Sequence, residues 1–142
     1  MSLQLFSILN GNYSFTRYVS SQHINMIGYA SFTPLSPAII HYHEEGSYIR
    51  EGREQYFYQN RLFTIRENEL LILKSDKTIL HKFHLKNDCD LPIHLHHIHY
   101  CKNDQYTLDL WIHSLDEYST SYRIFGPNKA EHMITTDFQK VS

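Results

Sequence analysis

The chain has 142 residues, room for one ordinary domain, and 42% of them are apolar, enough for a real core. Lys and Arg (13) nearly balance Asp and Glu (15), a formal charge of −2, which argues against an electrostatic nucleic-acid binder with its basic stripe. No stretch approaches the roughly 20 apolar residues of a membrane helix, and no basic segment followed by an apolar run opens the chain. The 2 cysteines, Cys89 and Cys101, make no disulfide framework, so a cytoplasmic protein with free thiols is expected.

Taken in chain order, residues 3–10 predict one or two helical turns with Leu5, Phe6 and Leu9 on one face, stopped by Gly11. Ten β-rich runs follow, at 12–22, 25–33, 38–49, 53–66, 69–74, 78–86, 94–101, 105–113, 117–126 and 130–139. The 11 Tyr and 8 Phe suit pleated surfaces. Turn signals separate the runs: Thr33-Pro34, Glu51-Gly52, Glu67-Asn68, Ser75-Asp76-Lys77, Asn87-Asp88, Asn103-Asp104, Asp116 and Gly126-Pro127-Asn128. A further turn near Gln59-Asn60 would divide the long run 53–66. In 78–86, Ile79, His81, Phe83 and Leu85 share one face; in 105–113, Tyr106, Leu108, Leu110 and Ile112 do. Sequential strands with one apolar face need a partner surface, and closing the sheet supplies it while removing the edges. The expected fold is therefore all-β, an antiparallel up-and-down barrel of about ten strands forming a single domain, with helix 3–10 across one end. A sandwich is the competing arrangement.

Four fragments occur in order: Tyr42-His43-Glu44-Glu45-Gly46, Asp76 to His81, His99-Tyr100-Cys101-Lys102-Asn103-Asp104-Gln105-Tyr106, and Gly126-Pro127-Asn128-Lys129. They resemble an uncharacterised bacterial and fungal domain family with the pattern Tyr-x-Glu-x-Gly, a His after an Asp turn, His-x-Cys-x-x-Asp-x-Tyr, and Gly-Pro-x-Lys. The resemblance covers nearly the whole chain and implies a lipocalin-like (calycin) barrel with no known activity. The chain departs from the pattern at Ala130-Glu131, where the family has an acidic-aromatic pair, and at Tyr122, where it has a tryptophan.

Histidine stands out, at 11 of 142 residues. Residues i and i+2 of a strand point the same way, roughly 6.6–6.8 Å apart. His94 and His96 thus share one face and His97 and His99 the other, and His41 and His43 form a second His-x-His pair. Such a pair can hold a metal between its rings if a third ligand converges on it. Without that ligand, the same residues are hydrogen-bonded surface imidazoles.

Parity places His81, His99 and Tyr106 inside and His94 and His96 in solvent. Tyr42, Glu44 and Gly46 share a face, and an interior Glu44 needs a cation, for which Arg123 is the candidate. Lys129, in the last turn, would stand at the barrel mouth and meet an anionic ligand. Cys101 beside His99 is a weak nucleophile candidate, and no nucleophile elbow, phosphate loop or dinucleotide fingerprint is present. No catalytic residue is assigned. The leading expectation is a barrel that binds a small organic molecule, anionic or aromatic, near Tyr42, Glu44, His81, His99, Tyr106, Arg123 and Lys129. Two alternatives stand beside it. One is a metal- or haem-binding barrel using His97, His99 and His81, although no cofactor is required by the sequence. The other is a structural or partner-binding domain with a filled core.

Overall fold

Most of the alternating runs become strands with one face turned inward. The computed structural model describes residues 2–85, 91–127 and 129–141, with side chains for 5–85, 91–127 and 132–141. A short helix, α1 (Ser2–Leu9), precedes β1 (Gly11–Val19), β2 (Ile24–Ser36), β3 (Ile39–Arg50), β4 (Arg53–Arg66), β5 (Glu69–Leu73), β6 (Ile79–His84), β7 (Ile93–Cys101), β8 (Asp104–Ile112), β9 (Glu117–Gly126) and β10 (Lys129–Lys140). The ten strands form one sheet in the order β6-β5-β4-β3-β2-β1-β10-β9-β8-β7. Each strand pairs antiparallel with its sequence neighbour, and β1 pairs with β10. The exception is β6 and β7, which no backbone ladder joins among the described residues. The result is a nearly closed antiparallel barrel of ten strands with one short helix, the expected fold class.

The hairpins follow from local chemistry. Between β3 and β4, Glu51 (φ 53°) and Gly52 (φ 76°) both lie in the left-handed region, the requirement of a two-residue turn whose twist matches that of its strands. Glu67 (φ 57°) and Lys102 (φ 57°) occupy the same region in the turns after β4 and β7. Two expected turns are absent. Gln59-Asn60 lies inside an unbroken β4, whose register with β3 runs from Ile39↔Thr64 to Arg50↔Arg53. Thr33-Pro34 lies inside β2, where the register shifts between Pro34 and Ser36; an irregularity is where a strand tolerates a residue without an N–H. The 12–22 run ends early, at Val19. The expected Asn87-Asp88 turn and Cys89 lie outside the described residues, as does Asn128 of the last turn.

The core collects the inward residues. Phe15, Phe32, Phe63, Leu110, Tyr118 and Phe138 are all buried, and Tyr118 stacks on Phe138 with centroids 4.1 Å apart. Leu5, Phe6 and Leu9 of α1 join the same cluster. The helix is tied down where β1 begins: the Tyr13 hydroxyl donates to Leu9 O at 2.9 Å and Lys140 Nζ to Ile8 O at 3.2 Å. Side chains thus fill the helix end of the barrel. No helix among the described residues is long and apolar enough to cross a membrane.

Candidate functional site

Strand parity aims polar residues as well as apolar ones into the lumen. On β1, Arg17 follows Tyr13 and Phe15 on the inward face, and on β3 Glu44 follows Ile40 and Tyr42. The two meet as a two-pronged ion pair, Arg17 Nη1 to Glu44 Oε2 at 2.6 Å and Nη2 to Oε1 at 2.9 Å. Tyr42 donates to Glu44 Oε1 at 2.6 Å, and Arg17 Nε donates to Thr136 Oγ1 at 2.8 Å. Arg17 also lies over the Phe15 ring, 4.7 Å from its centroid. Burial alone would lower the Arg17 guanidinium, but the Glu44 hydrogen bonds and charge raise it above its ordinary value. Burial, reinforced by the Glu44 carboxylate, pushes the Tyr42 hydroxyl well up. The pair is a matched, hydrogen-bonded unit, the form in which charges survive burial.

Glu44 therefore takes its cation from Arg17 and not from Arg123. The physical reason is parity. Tyr118, Thr120 and Tyr122 line the lumen, so Arg123, one residue beyond Tyr122, points outward and is exposed. The Lys129 side chain lies outside the described residues.

Between this pair and the β6–β7 boundary is a cavity of about 550 Å³, walled by residues that include Phe32, Tyr48, Phe57, Leu108, Tyr118 and Tyr122. Sites for small molecules span about 300–1,000 Å³ and are mostly apolar with a few placed polar groups. Three expected residues line it: Tyr42, Glu44 and His81. Arg61 lines it too, half-buried, on the same β4 face as Phe63 and Ile65 and opposite Tyr42 in register. Its guanidinium donates to the Asn60 carbonyl at 2.8 Å; among the described residues, no carboxylate pairs with it. Burial and Tyr106 push the Tyr122 hydroxyl up, while Arg61 pulls it back down.

Tyr118 adds a second feature. Its hydroxyl is fully buried and, among the described residues, has no hydrogen-bond partner. Burial pushes it well above the ordinary value, so it stays protonated and available to donate.

At the β6–β7 boundary the rings converge as parity requires. His81 is 3% exposed, and its Nδ1 lies 3.0 Å from His97 Nδ1. His81 has His99 at 6.2 Å and Tyr122 at 5.5 Å between centroids, and Tyr106 lies 6.2 Å from both His99 and Tyr122. His99 and Tyr106 are half-buried and stand beyond the cavity wall, one ring removed from it. Burial, with repulsion from His97 and His99, lowers His81 from 6.5 to about 3. The pair is therefore neutral near pH 7, one Nδ1 donating and the other accepting. The alternative metal reading would use His81, His97 and His99, whose donor atoms do not converge within 4.8 Å. Among the described residues, the three-donor group that converges within 4.8 Å is His94, His96 and Asp109, outside the barrel.

The sequence profile of a family of unknown function, DUF6314, matches residues 9–140. The chain belongs to this family. No curated protein matches the sequence of this DUF6314 member. Its fold is shared with distant structures. One is the S-type phycobiliprotein lyase CPES from Guillardia theta, with a TM-score of 0.69 at 11% identity over 98% of this chain and 92% of that one. A redesigned barrel, mFAP1, bound to DFHBI, has a TM-score of 0.51 at 14% identity over 95% and 97%. A de novo fluorescence-activating barrel has a TM-score of 0.51 at 13% identity over 95% of both chains. At these identities the likeness concerns the fold.

Arg17, Arg61, Tyr118, Tyr122 and Thr136 are lumen residues that the sequence reading missed. The signal was present at two of them. Arg17 alternates with Tyr13, Phe15 and Val19, a lone cation on an apolar face, and Arg61 precedes the apolar Phe63 and Ile65 on its own face.

Proposed function

We propose that this barrel binds a small, partly aromatic organic anion in its lumen. The observation that carries this reading is Arg61, a cation lining a mainly aromatic and aliphatic cavity with no carboxylate paired to it among the described residues. Arg17 is already matched by Glu44, so an incoming carboxylate or phosphate would meet the Arg61 fork, which suits both groups. The ring of the ligand would lie against Tyr48, Phe57 and Tyr122, and the Tyr118 hydroxyl would gain an acceptor. His81 borders the same space as a neutral imidazole, with His99 one ring behind the wall. The mFAP1 barrel, structurally similar, is bound to DFHBI, an instance of a barrel of this fold holding a bound compound.

The test is a thermal-shift screen of aromatic carboxylates and phosphates, each scored beside its neutral amide or alcohol analogue. Anions are expected to stabilise the protein and their neutral analogues to do so less. For any hit, Arg61→Ala and His81→Ala are expected to weaken binding in calorimetry, and outward Arg123→Ala to leave it unchanged. A hit whose affinity survives Arg61→Ala, or falls only with Arg123→Ala, overturns the reading.

A further inference from the structure

The outer face of the β7–β8 hairpin carries chemistry that the lumen does not use. His94 and His96 point outward from β7, and Asp109 points outward from β8 directly opposite His96. His94 Nε2 and His96 Nδ1 each lie 2.7 Å from the same oxygen, Asp109 Oδ1. The three potential ligand atoms converge within 4.8 Å, and both imidazoles are about half exposed, with side-chain accessibilities of 50% and 49%. The His94 ring is held by stacking on Trp111, with centroids 4.9 Å apart and planes 4° from parallel. From these contacts we infer that His94, His96 and Asp109 form a surface site for a borderline divalent cation such as Zn²⁺ or Cu²⁺.

Two imidazoles and a carboxylate are ligands that such ions accept, and solvent would fill the remaining positions. A tetrahedral ion with bonds of about 2.0–2.1 Å keeps its ligand atoms roughly 3.3–3.4 Å apart. An ion entering between them would lengthen the two 2.7 Å N···O contacts by about 0.6–0.7 Å. Each imidazole would then offer as a lone pair the nitrogen that now faces Asp109, its proton passing to solvent or to the other ring nitrogen.

A second His-x-His pair on the barrel shows why the carboxylate matters. His41 Nε2 and His43 Nδ1 lie 3.0 and 2.8 Å from one side-chain oxygen, Asn60 Oδ1, on the neighbouring strand. The arrangement is the same: two histidines on one strand, one acceptor across the ladder. The difference is charge. Asn60 brings a neutral amide and Asp109 a carboxylate, so the first is a hydrogen-bonded pair and the second a ligand set. An ion at the second would clamp β7, one of the two strands at the unpaired boundary, to β8.

Trp111, the single tryptophan, is a built-in reporter. Untagged protein would be titrated with Cu²⁺ while Trp111 emission is followed, and equilibrium dialysis with Zn²⁺ would count bound ions. Wild type is expected to show saturable quenching at one equivalent and a rise in Tm with Zn²⁺. His96→Ala and Asp109→Asn are expected to weaken binding at least about tenfold, the smallest loss seen even for partners one shell further from a metal. Both positions are outside the core, and circular dichroism checks that the variants fold. His43→Ala is expected to keep the wild-type curve. Absence of saturable binding, equal binding in Asp109→Asn and wild type, or loss in His43→Ala instead, each overturns the assignment.

Discussion

His81 and His97 face each other Nδ1 to Nδ1 at 3.0 Å across the boundary between β6 and β7, one neutral imidazole donating to another. One of the two Nδ1 atoms must stay bare to accept, so the contact survives a single proton on the pair and is lost only when both rings are charged. Burial and its histidine neighbours lower His81 from 6.5 to about 3, and His97 is lowered for the same reasons. Above pH 6.5 the folded and unfolded chains both carry His81 neutral, and its contribution to stability is fully present. As pH falls below 6.5 the unfolded chain takes up a proton that the folded chain refuses. Stability then declines by about 1.4 kcal/mol per pH unit for a fully shifted group, until the folded value near 3. Urea midpoints measured near pH 7 and near pH 5 are expected to fall for wild type and to fall less for His81→Phe. Equal slopes in the two proteins would remove His81 as the cause.

The Arg17–Glu44 pair makes a different prediction. Glu44 is 2% exposed and Arg17 16%, so removing one partner strands the other charge. Glu44→Gln is expected to lose on the order of 3–5 kcal/mol, whereas an apolar double replacement, Arg17→Met with Glu44→Leu, loses less than the sum of the single changes. Denaturant unfolding of wild type, Arg17→Met, Glu44→Leu and the double variant gives the coupling; additive losses would show that the two side chains act independently.

Tyr118→Phe is expected to leave stability unchanged or to raise it. The hydroxyl it removes is buried without a partner among the described residues, and an unsatisfied buried hydroxyl costs about 1–3 kcal/mol. Calorimetric Tm decides, and a drop of several degrees would mean that the hydroxyl has a partner in solution. If the lumen takes an anion as proposed, the same variant binds it more weakly.

Gly46 tests the tightness of the wall. A Cβ there would meet the Ile27 carbonyl and the Phe57 ring, and Gly28, its cross-strand partner, is equally crowded by Phe15 and the Glu45 carbonyl. Gly46→Val is expected to destabilise by about 1–3 kcal/mol, the range for inserting volume into a packed region. Urea unfolding checks it, and an unchanged midpoint would show that the strands part there without strain.

The alternating pattern made nearly all of the fold readable. Phe83 and Leu85 beside His81, or Leu108 and Leu110 beside Tyr106, announce a face as soon as the period of two is noticed, and positive-φ turns such as Glu51-Gly52 mark the hairpins. The turn expected at Gln59-Asn60 failed because polar residues in a long run do not by themselves stop a strand: both are carried through by the ladder to β3. In the site, Tyr42, Glu44 and His81 were found from parity with apolar neighbours. Arg123 was assigned to Glu44 because the sequence does not say which distant strands lie across the lumen; the partner came from Arg17, two strands away through β2. The third ligand beside His94 and His96 was hidden for the same reason, since Asp109 meets them only through the β7–β8 register.

A wall with a single unlaced boundary behaves as a split ring. Among the described residues, each pair of neighbouring strands is held by a series of backbone bonds except β6 and β7, where His81 and His97 act as the clasp. Widening the girth elsewhere means unzipping a ladder; widening it here means parting side chains. If the lumen takes a ligand as proposed, occupants of unequal bulk would be accommodated by parting side chains along that line while the other nine joints keep their register.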